Sequence, residues 1–310
     1  MTKKKLFLIL SSAVVMLAVI DIGVGFGMSL YVRHCSIPGD YGKIEHMLKR
    51  VKVPVILLGA STCMNSLDPE ILEKGTGKKV FNGGLNDQRL EFFNVISETV
   101  LRRSPPPELL ILVLRHNDLT FSGRGRLAMM NIYYHQGYAK LDHYLNEGKL
   151  GQQLLLSSAL YRINTFWWRI LLYHFKSFNE LAHGGFVGKP VPKYPPRLWD
   201  ITKEKQMLPI IPRKLQCLKD ICESCRKAGT RLWIVIPPEY YRCSAGFERC
   251  GETYIREFCS QNDIRFINDS HNPDFVGHPE YFFDNNHLNI NGAKLYSQRI
   301  LDLLKKEFAR

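Results

Sequence analysis

The sequence has one C-x-x-C pair, no internal repeat, no low-complexity tract and no nucleic-acid-binding signature. Without repeats the chain is not a solenoid or an array. Structural zinc wants paired C-x-x-C motifs, or Cys with His at ligand spacing, and a single pair does not supply them. The Lys and Arg residues behind the formal charge of +13 are dispersed rather than gathered on a motif. No nucleic-acid partner is therefore expected, and the charge fits a solvated basic surface, an acidic substrate or an anionic membrane. Charge is also scarce near the N-terminus: between residues 6 and 32 the only charged residue is Asp21.

That apolar run rises about 1.5 Å per residue as a helix, enough to cross a hydrocarbon core of about 30 Å. Lys3, Lys4 and Lys5 precede it. Such a flank favours a cytoplasmic N-terminus and a remainder outside the cytoplasm, periplasmic or extracellular. No clear A-x-A site precedes residue 33, which counts against a cleaved signal peptide. A single-pass anchor over residues 1–32 is expected; a cleaved signal or a buried core helix are the alternatives. Asp21 at the centre of a span would cost about 2.5–3.5 kcal/mol on insertion scales. It calls for a partner helix, as of a membrane partner protein, or for an off-centre position.

Eight cysteines suit an exported chain, and six lie between Cys217 and Cys259. Outside the cytoplasm, Cys217, Cys222, Cys225, Cys243, Cys250 and Cys259 read first as disulfides of open connectivity. Cys35 and Cys63 have no obvious partners.

Beyond a linker at 33–50, short apolar β-branched runs ended by Gly, Pro or Asn predict five strands. They are "VPVILLG" (53–59), "KVFNGG" (79–84), "PPPELLILVLR" (105–115), "RLWIVIPP" (231–238) and "IRFIND" (264–269). Helical spacing fills 89–103, 212–228, 250–262 and 291–308. Strands alternating with helices predict a doubly wound α/β fold with a mostly parallel sheet. The domain would run over 51–310, with an insertion at 119–211. Between 121 and 205 the chain holds twelve Lys plus Arg against five acidic residues. The aromatics there (Tyr133, Tyr134, Tyr161, Phe166, Trp167, Trp168, Tyr173, Phe175) form a satellite core or contact substrate. An insertion of this length would roof the site or lie beside it.

Sites in such sheets lie at the carboxyl ends of the strands. There stand Ser61 after the first, the 83–87 loop after the second, Asn117 after the third, and Asp284 with His287 after the fifth. Alone, Ser61 is a helix cap, Asn117 a turn residue, and Asp284 with His287 a polar turn before a helix capped by Asn289 or Asn291. Together they have the parts for acyl transfer: nucleophile Ser61, base His287 and orienting Asp284. The oxyanion would meet the Ser61 N–H, an N–H of the 83–87 loop and the Asn117 amide. His116 and Asp118 flank Asn117 as solvated loop residues or substrate neighbours, and Trp233 reads as core.

These residues resemble the blocks of the SGNH/GDSL hydrolase superfamily. "LLGAS" matches its first block, "FNGGLNDQ" loosely its second, "LRHND" its third through Asn117, and D-x-x-H its last through Asp284 and His287. "NSLDPEIL" (65–72) resembles exported members that act in cell-envelope polysaccharide modification. Two positions depart: Ala60 replaces the usual Asp, and Asp87 falls at the usual Gly donor, so Asp87, Gly83 or Gly84 could be the loop donor. The resemblance implies a flavodoxin-like SGNH fold and a serine esterase or O-acyl(acetyl)transferase on an envelope carbohydrate or other acylated molecule, without metal or cofactor. The alternative it leaves is a catalytically inactive envelope protein that binds polysaccharide or an assembly partner.

Overall fold

A computed structural model of the chain describes residues 2–34, 39–146, 150–164, 167–168, 172, 181–201, 208–242 and 249–308. The chain divides into two compact units, residues 1–42 with 128–178 and residues 43–127 with 179–310.

The larger unit is built on a sheet of β1 (Val55–Gly59), β2 (Val80–Asn82), β3 (Leu109–Val113), β4 (Arg231–Ile236) and β5 (Arg265–Asn268). Their spatial order is β2-β1-β3-β4-β5, and every neighbouring pair is parallel. This is the expected doubly wound sheet. The order of strand addition reverses at β1, with β2 on one side and β3 on the other, and this is the switch point where such sheets open a crevice at their carboxyl ends. Gly59 pairs with Val113 in register.

Both sheet faces are covered, as the continuous apolar strands require. Val55, Leu57, Ile111, Val113 and Val235 share one core with Leu72, Tyr296, Ile300 and Leu301. The last three lie on α12 (Ile290–Phe308), which lies against α3 (Ser61–Ser66) and α4 (Pro69–Thr76). Strand alternation sends Ile56, Leu58, Leu110 and Leu112 to the other face, where they are buried too. Among the remaining helices, α10 (Cys250–Gln261) precedes β5 and α11 (Pro273–Val276) follows it, while α5 (Leu90–Leu101) and α9 (Pro212–Ala228) lie against each other. Buried Lys214 of α9 donates to Glu91 of α5 at 2.6 Å. The ends of α9 follow sequence rules: Pro212 starts it, and Gly229 stops it in the left-handed conformation (φ 68°). Trp233 is core, 2% exposed.

The smaller unit contains α1 (Lys3–His34), α6 (Ala139–Asn146), α7 (Leu150–Ser157) and α8 (Ala159–Ile163). Its stretch Lys3–Met28 is long and apolar enough to cross a membrane. A helix, α2 (Gly39–Lys49), occupies part of the stretch expected as linker. The described residues within 128–178 of the expected insertion cluster with the N-terminal helix, and those within 179–211 with the sheet. Tyr133 and Tyr134 are buried, whereas Trp167 and Trp168 are half exposed. Phe166, Tyr173 and Phe175 lie outside the described residues.

The disulfide expectation is corrected. Cys63, Cys217, Cys222, Cys225, Cys250 and Cys259 form no disulfide; Cys35 and Cys243 lie outside the described residues. Cys222 and Cys225 stand three apart on α9, where Cβ atoms are about 5–6 Å apart. A disulfide wants about 3.5–4.5 Å, so the helix itself forbids this bridge. Cys217, Cys222 and Cys225 instead join Leu218 and Ile221 on the buried face of α9, as small apolar side chains. Burial pushes the Cys225 and Cys259 thiols up to about 12.

Candidate active site

Ser61 begins α3 two residues after β1 ends. Glycine makes this tight exit possible. A Cβ on Gly59 would stand 2.5 Å from the Cys63 Cβ and 2.6 Å from the Val113 carbonyl oxygen. As the first helical residue, Ser61 has a backbone N–H with no intrahelical acceptor. Its Oγ lies 2.7 Å from His287 Nε2.

Asp284 and His287 sit on a short antiparallel ribbon formed by 282–284 and 287–288. His287 Nδ1 lies 2.8 Å and 2.9 Å from the two Asp284 oxygens. Asp284 Oδ1 also accepts the N–H groups of Asn286 (2.8 Å) and His287 (3.0 Å). Burial opposes ionisation of Asp284. The His287 hydrogen bond and charge, with the two backbone donors, outweigh it and lower the carboxyl below its usual range. The carboxylate therefore fixes Nδ1 as the protonated nitrogen and leaves Nε2 to accept from Ser61. Asn289 caps α12 by accepting from the N–H groups of Asn291 (3.0 Å) and Gly292 (3.2 Å). The Asp284–His287 turn and the helix cap are thus adjacent features of one segment.

In the loop after β2 most backbone donors are committed. Gly83 N–H donates to Leu57 O (2.8 Å), Gly84 N–H to Asn82 Oδ1 (2.9 Å) and Leu85 N–H to Gly59 O (3.1 Å). The expectation of Gly84 as an oxyanion donor is corrected for that reason, and Gly83 falls with it. Among the described residues the N–H groups of Asn86 and Asp87 remain unpaired. Asp87 adopts φ 52°, a left-handed conformation that Gly takes freely and Asp takes more readily than most residues. Its carboxylate is turned to Arg89, 3.3 Å away. Arg89 also holds the buried Asp118 at 3.1 Å, and Asp118 accepts the Arg115 N–H at 2.8 Å. Asp118 is therefore neither solvated nor a substrate neighbour. Asn117 is part-buried at the carboxyl end of β3, and its Oδ1 is buried without a partner.

Several contributors escaped sequence reasoning. Arg115 and Tyr241 both donate to Asn286 Oδ1, at 2.9 Å and 2.7 Å, and so brace the Asp284–His287 turn. Tyr240 N–H donates to the Asn285 carbonyl at 2.8 Å. The preceding residue, buried Glu239, pairs with His116 (2.9 Å) and Arg249 (2.7 Å). Only the polarity of "RHND" and "PPEYYR" hinted at these bonds, of which Arg115–Asn286 and His116–Glu239 join residues over a hundred positions apart. No group of three His, Cys, Asp or Glu among the described residues is placed to hold a metal ion.

No family model matches the chain, and no curated protein matches it. Solved structures do. A protein described as lipolytic and of the G-D-S-L family, from Desulfitobacterium hafniense, is similar at 11% identity and TM-score 0.41, over 80% of this chain and 97% of that one. A GDSL-like lipase from Bacteroides thetaiotaomicron is similar at 11% identity and TM-score 0.41, over 87% and 100%. A protein described as a platelet activating factor from Streptococcus pneumonia is similar at 14% identity and TM-score 0.43, over 95% and 99%. The chemistry of this chain rests on its own residues.

Proposed function

We propose that the chain is a serine-dependent ester hydrolase or acyltransferase of the SGNH/GDSL type, held to a membrane by α1 with its sheet outside the cytoplasm. One observation carries the reading: the unbroken series from Ser61 Oγ through the His287 ring to the Asp284 carboxylate. Ser61 Oγ would attack the ester carbonyl carbon while its proton passes to His287 Nε2. Collapse of the tetrahedral intermediate returns that proton to the departing alcohol and leaves an ester on Ser61. Water then releases the acid, or an acceptor hydroxyl takes the acyl group, with His287 again taking the proton. The developing oxyanion would be met by the N–H groups of Ser61 and Asp87 and the Asn117 side-chain amide. Each such donor contributes about 2.7–4 kcal/mol to the transition state.

The substrate class we favour is an O-acetylated envelope carbohydrate, supported by the likeness of "NSLDPEIL" to exported polysaccharide-modifying members. The second reading is an inactive binding protein, favoured by a carboxylate at the usual glycine position. Its pairing with Arg89 weighs against that reading. The test is acetate release from p-nitrophenyl acetate by the full chain in detergent, wild type against Ser61→Ala. A loss of about 10³-fold or more is expected. Equal rates would remove Ser61 from the mechanism, and release only with an added glycan would favour transfer.

A further inference from the structure

We propose that α7 and the start of α8 are embedded in the lipid bilayer beside α1, in the leaflet farther from the N-terminal lysines. The inference rests on α1 being a membrane span. Its first support is depth. Asp21 follows Leu6 by fifteen residues, about 22 Å along the helix. Within a core of about 30 Å, Asp21 then lies inside hydrocarbon, about 8 Å short of the far boundary.

A carboxylate there needs partners, and this chain supplies them. Asp21 accepts from Ser158 Oγ at 2.7 Å and from the N–H groups of Ala159 and Leu160, each at 2.9 Å. The two N–H groups lie at the start of α8, where they have no intrahelical acceptor. The bonds hold Ser158–Leu160 at the depth of Asp21. One turn further along α1, Gly25 lets α8 approach: a Cβ there would stand 2.8 Å from that of Ala159. Small residues at a crossing are how helices pair in lipid.

The outer surface agrees. Leu150 is 71% exposed and Leu154 64%, with Leu155 and Leu160 also exposed, beside the exposed apolar side chains of α1. No charged residue lies in α7, and Arg162 of α8 donates to the Leu156 carbonyl at 2.7 Å. Eight residues make α7 about 12 Å long, too short to cross, so the segment dips into one leaflet. The occupant of this surface is lipid hydrocarbon.

The test uses the full chain in phosphatidylethanolamine–phosphatidylglycerol vesicles, with p-benzoylphenylalanine replacing Leu154, Leu160, Val14 or Lys306 in turn. Lipid adducts are read by mass after illumination. Adducts at Leu154 and Leu160 within about threefold of Val14, and at least tenfold above Lys306, are expected. Adducts at Val14 with Leu154 and Leu160 at the Lys306 level would overturn the proposal and leave the span intact. Their absence at Val14 as well would remove the span and the proposal together. Protein rather than lipid adducts at Leu154 would replace the bilayer by a partner protein and overturn it. Asp21→Leu should cut the Leu160 adduct at least fivefold with Val14 unchanged, whereas Asp21→Asn, which keeps an acceptor, should stay within twofold. An unchanged Leu160 adduct in Asp21→Leu would refute the anchoring role of Asp21.

Discussion

Arg89 links the two loops that carry the proposed oxyanion donors, and removing its charge separates a stability effect from a catalytic one. Arg89→Met keeps the side-chain length and loses the guanidinium. Its partner Asp118 has no exposed side-chain surface, while Asp87 is 55% exposed. The exposed pair is worth no more than about 1 kcal/mol, so the stability loss falls on Asp118. Breaking a buried pair by deleting one partner costs about 3–5 kcal/mol, because the other charge stays buried. Asp118→Asn in the same chain should recover most of that loss, since an amide oxygen still accepts the Arg115 N–H without needing a counter-charge. Urea titration followed by fluorescence of buried Trp233 measures both. Activity should respond differently. Arg89→Met leaves the Asp87 carboxylate without its counter-ion beside a developing oxyanion, and kcat on p-nitrophenyl acetate should fall on the order of tenfold or more, as expected for about 1.4 kcal/mol. Adding Asp87→Gly should restore kcat and leave the stability loss in place. An Arg89→Met chain destabilised by less than about 1 kcal/mol, or one that Asp118→Asn does not rescue, would refute this account.

Asp284→Asn should lower kcat by on the order of 10²–10⁴, with little change in the unfolding midpoint, because the amide holds the wrong imidazole tautomer. For Glu239, burial opposes ionisation, but His116, then Arg249 and Arg115, outweigh it and hold the carboxyl well below its usual range. Its stabilisation is therefore complete above the unfolded value of about 4.3 and drains away as pH falls below it. Glu239→Gln should be less stable than wild type at pH 6, and the gap should narrow by pH 3; a gap independent of pH would contradict the assignment. Denatured without reductant, Cys63, Cys217, Cys222, Cys225, Cys250 and Cys259 should all alkylate, as peptide mass mapping will report.

The sheet was legible because each strand carries its own signal: a short buried run closed by Gly, Pro or Asn. The Asn289 cap was legible for the same local reason. The pairing of Arg89 with Asp118 was not, since charge alone does not choose among dispersed partners. Nor was the bracing of Asn286 by Arg115 and Tyr241, which depends on where the loops after β3 and β4 converge. The cysteines misled because an exported chain implies oxidised cysteines, and that expectation outweighed the helix legible over 212–228. On α9 their spacing places three thiols on a buried face and holds adjacent ones too far apart to bond.

Asp87 shows how a departure from a familiar pattern is absorbed. Glycine suits a left-handed turn whose N–H must point outward, and a side chain there adds both strain and charge. Aspartate is among the residues that tolerate the conformation best. Its charge is met two positions later by Arg89, whose other nitrogen is tied to the residue following Asn117. The N–H of Asp87 stays unpaired while its carboxylate is held elsewhere. The guanidinium that holds this carboxylate also ties the loop after β2 to the loop after β3 through Asp118. In kcat on p-nitrophenyl acetate, though not in stability, replacing Arg89 and Asp87 together by neutral residues should therefore cost less than replacing Arg89 alone.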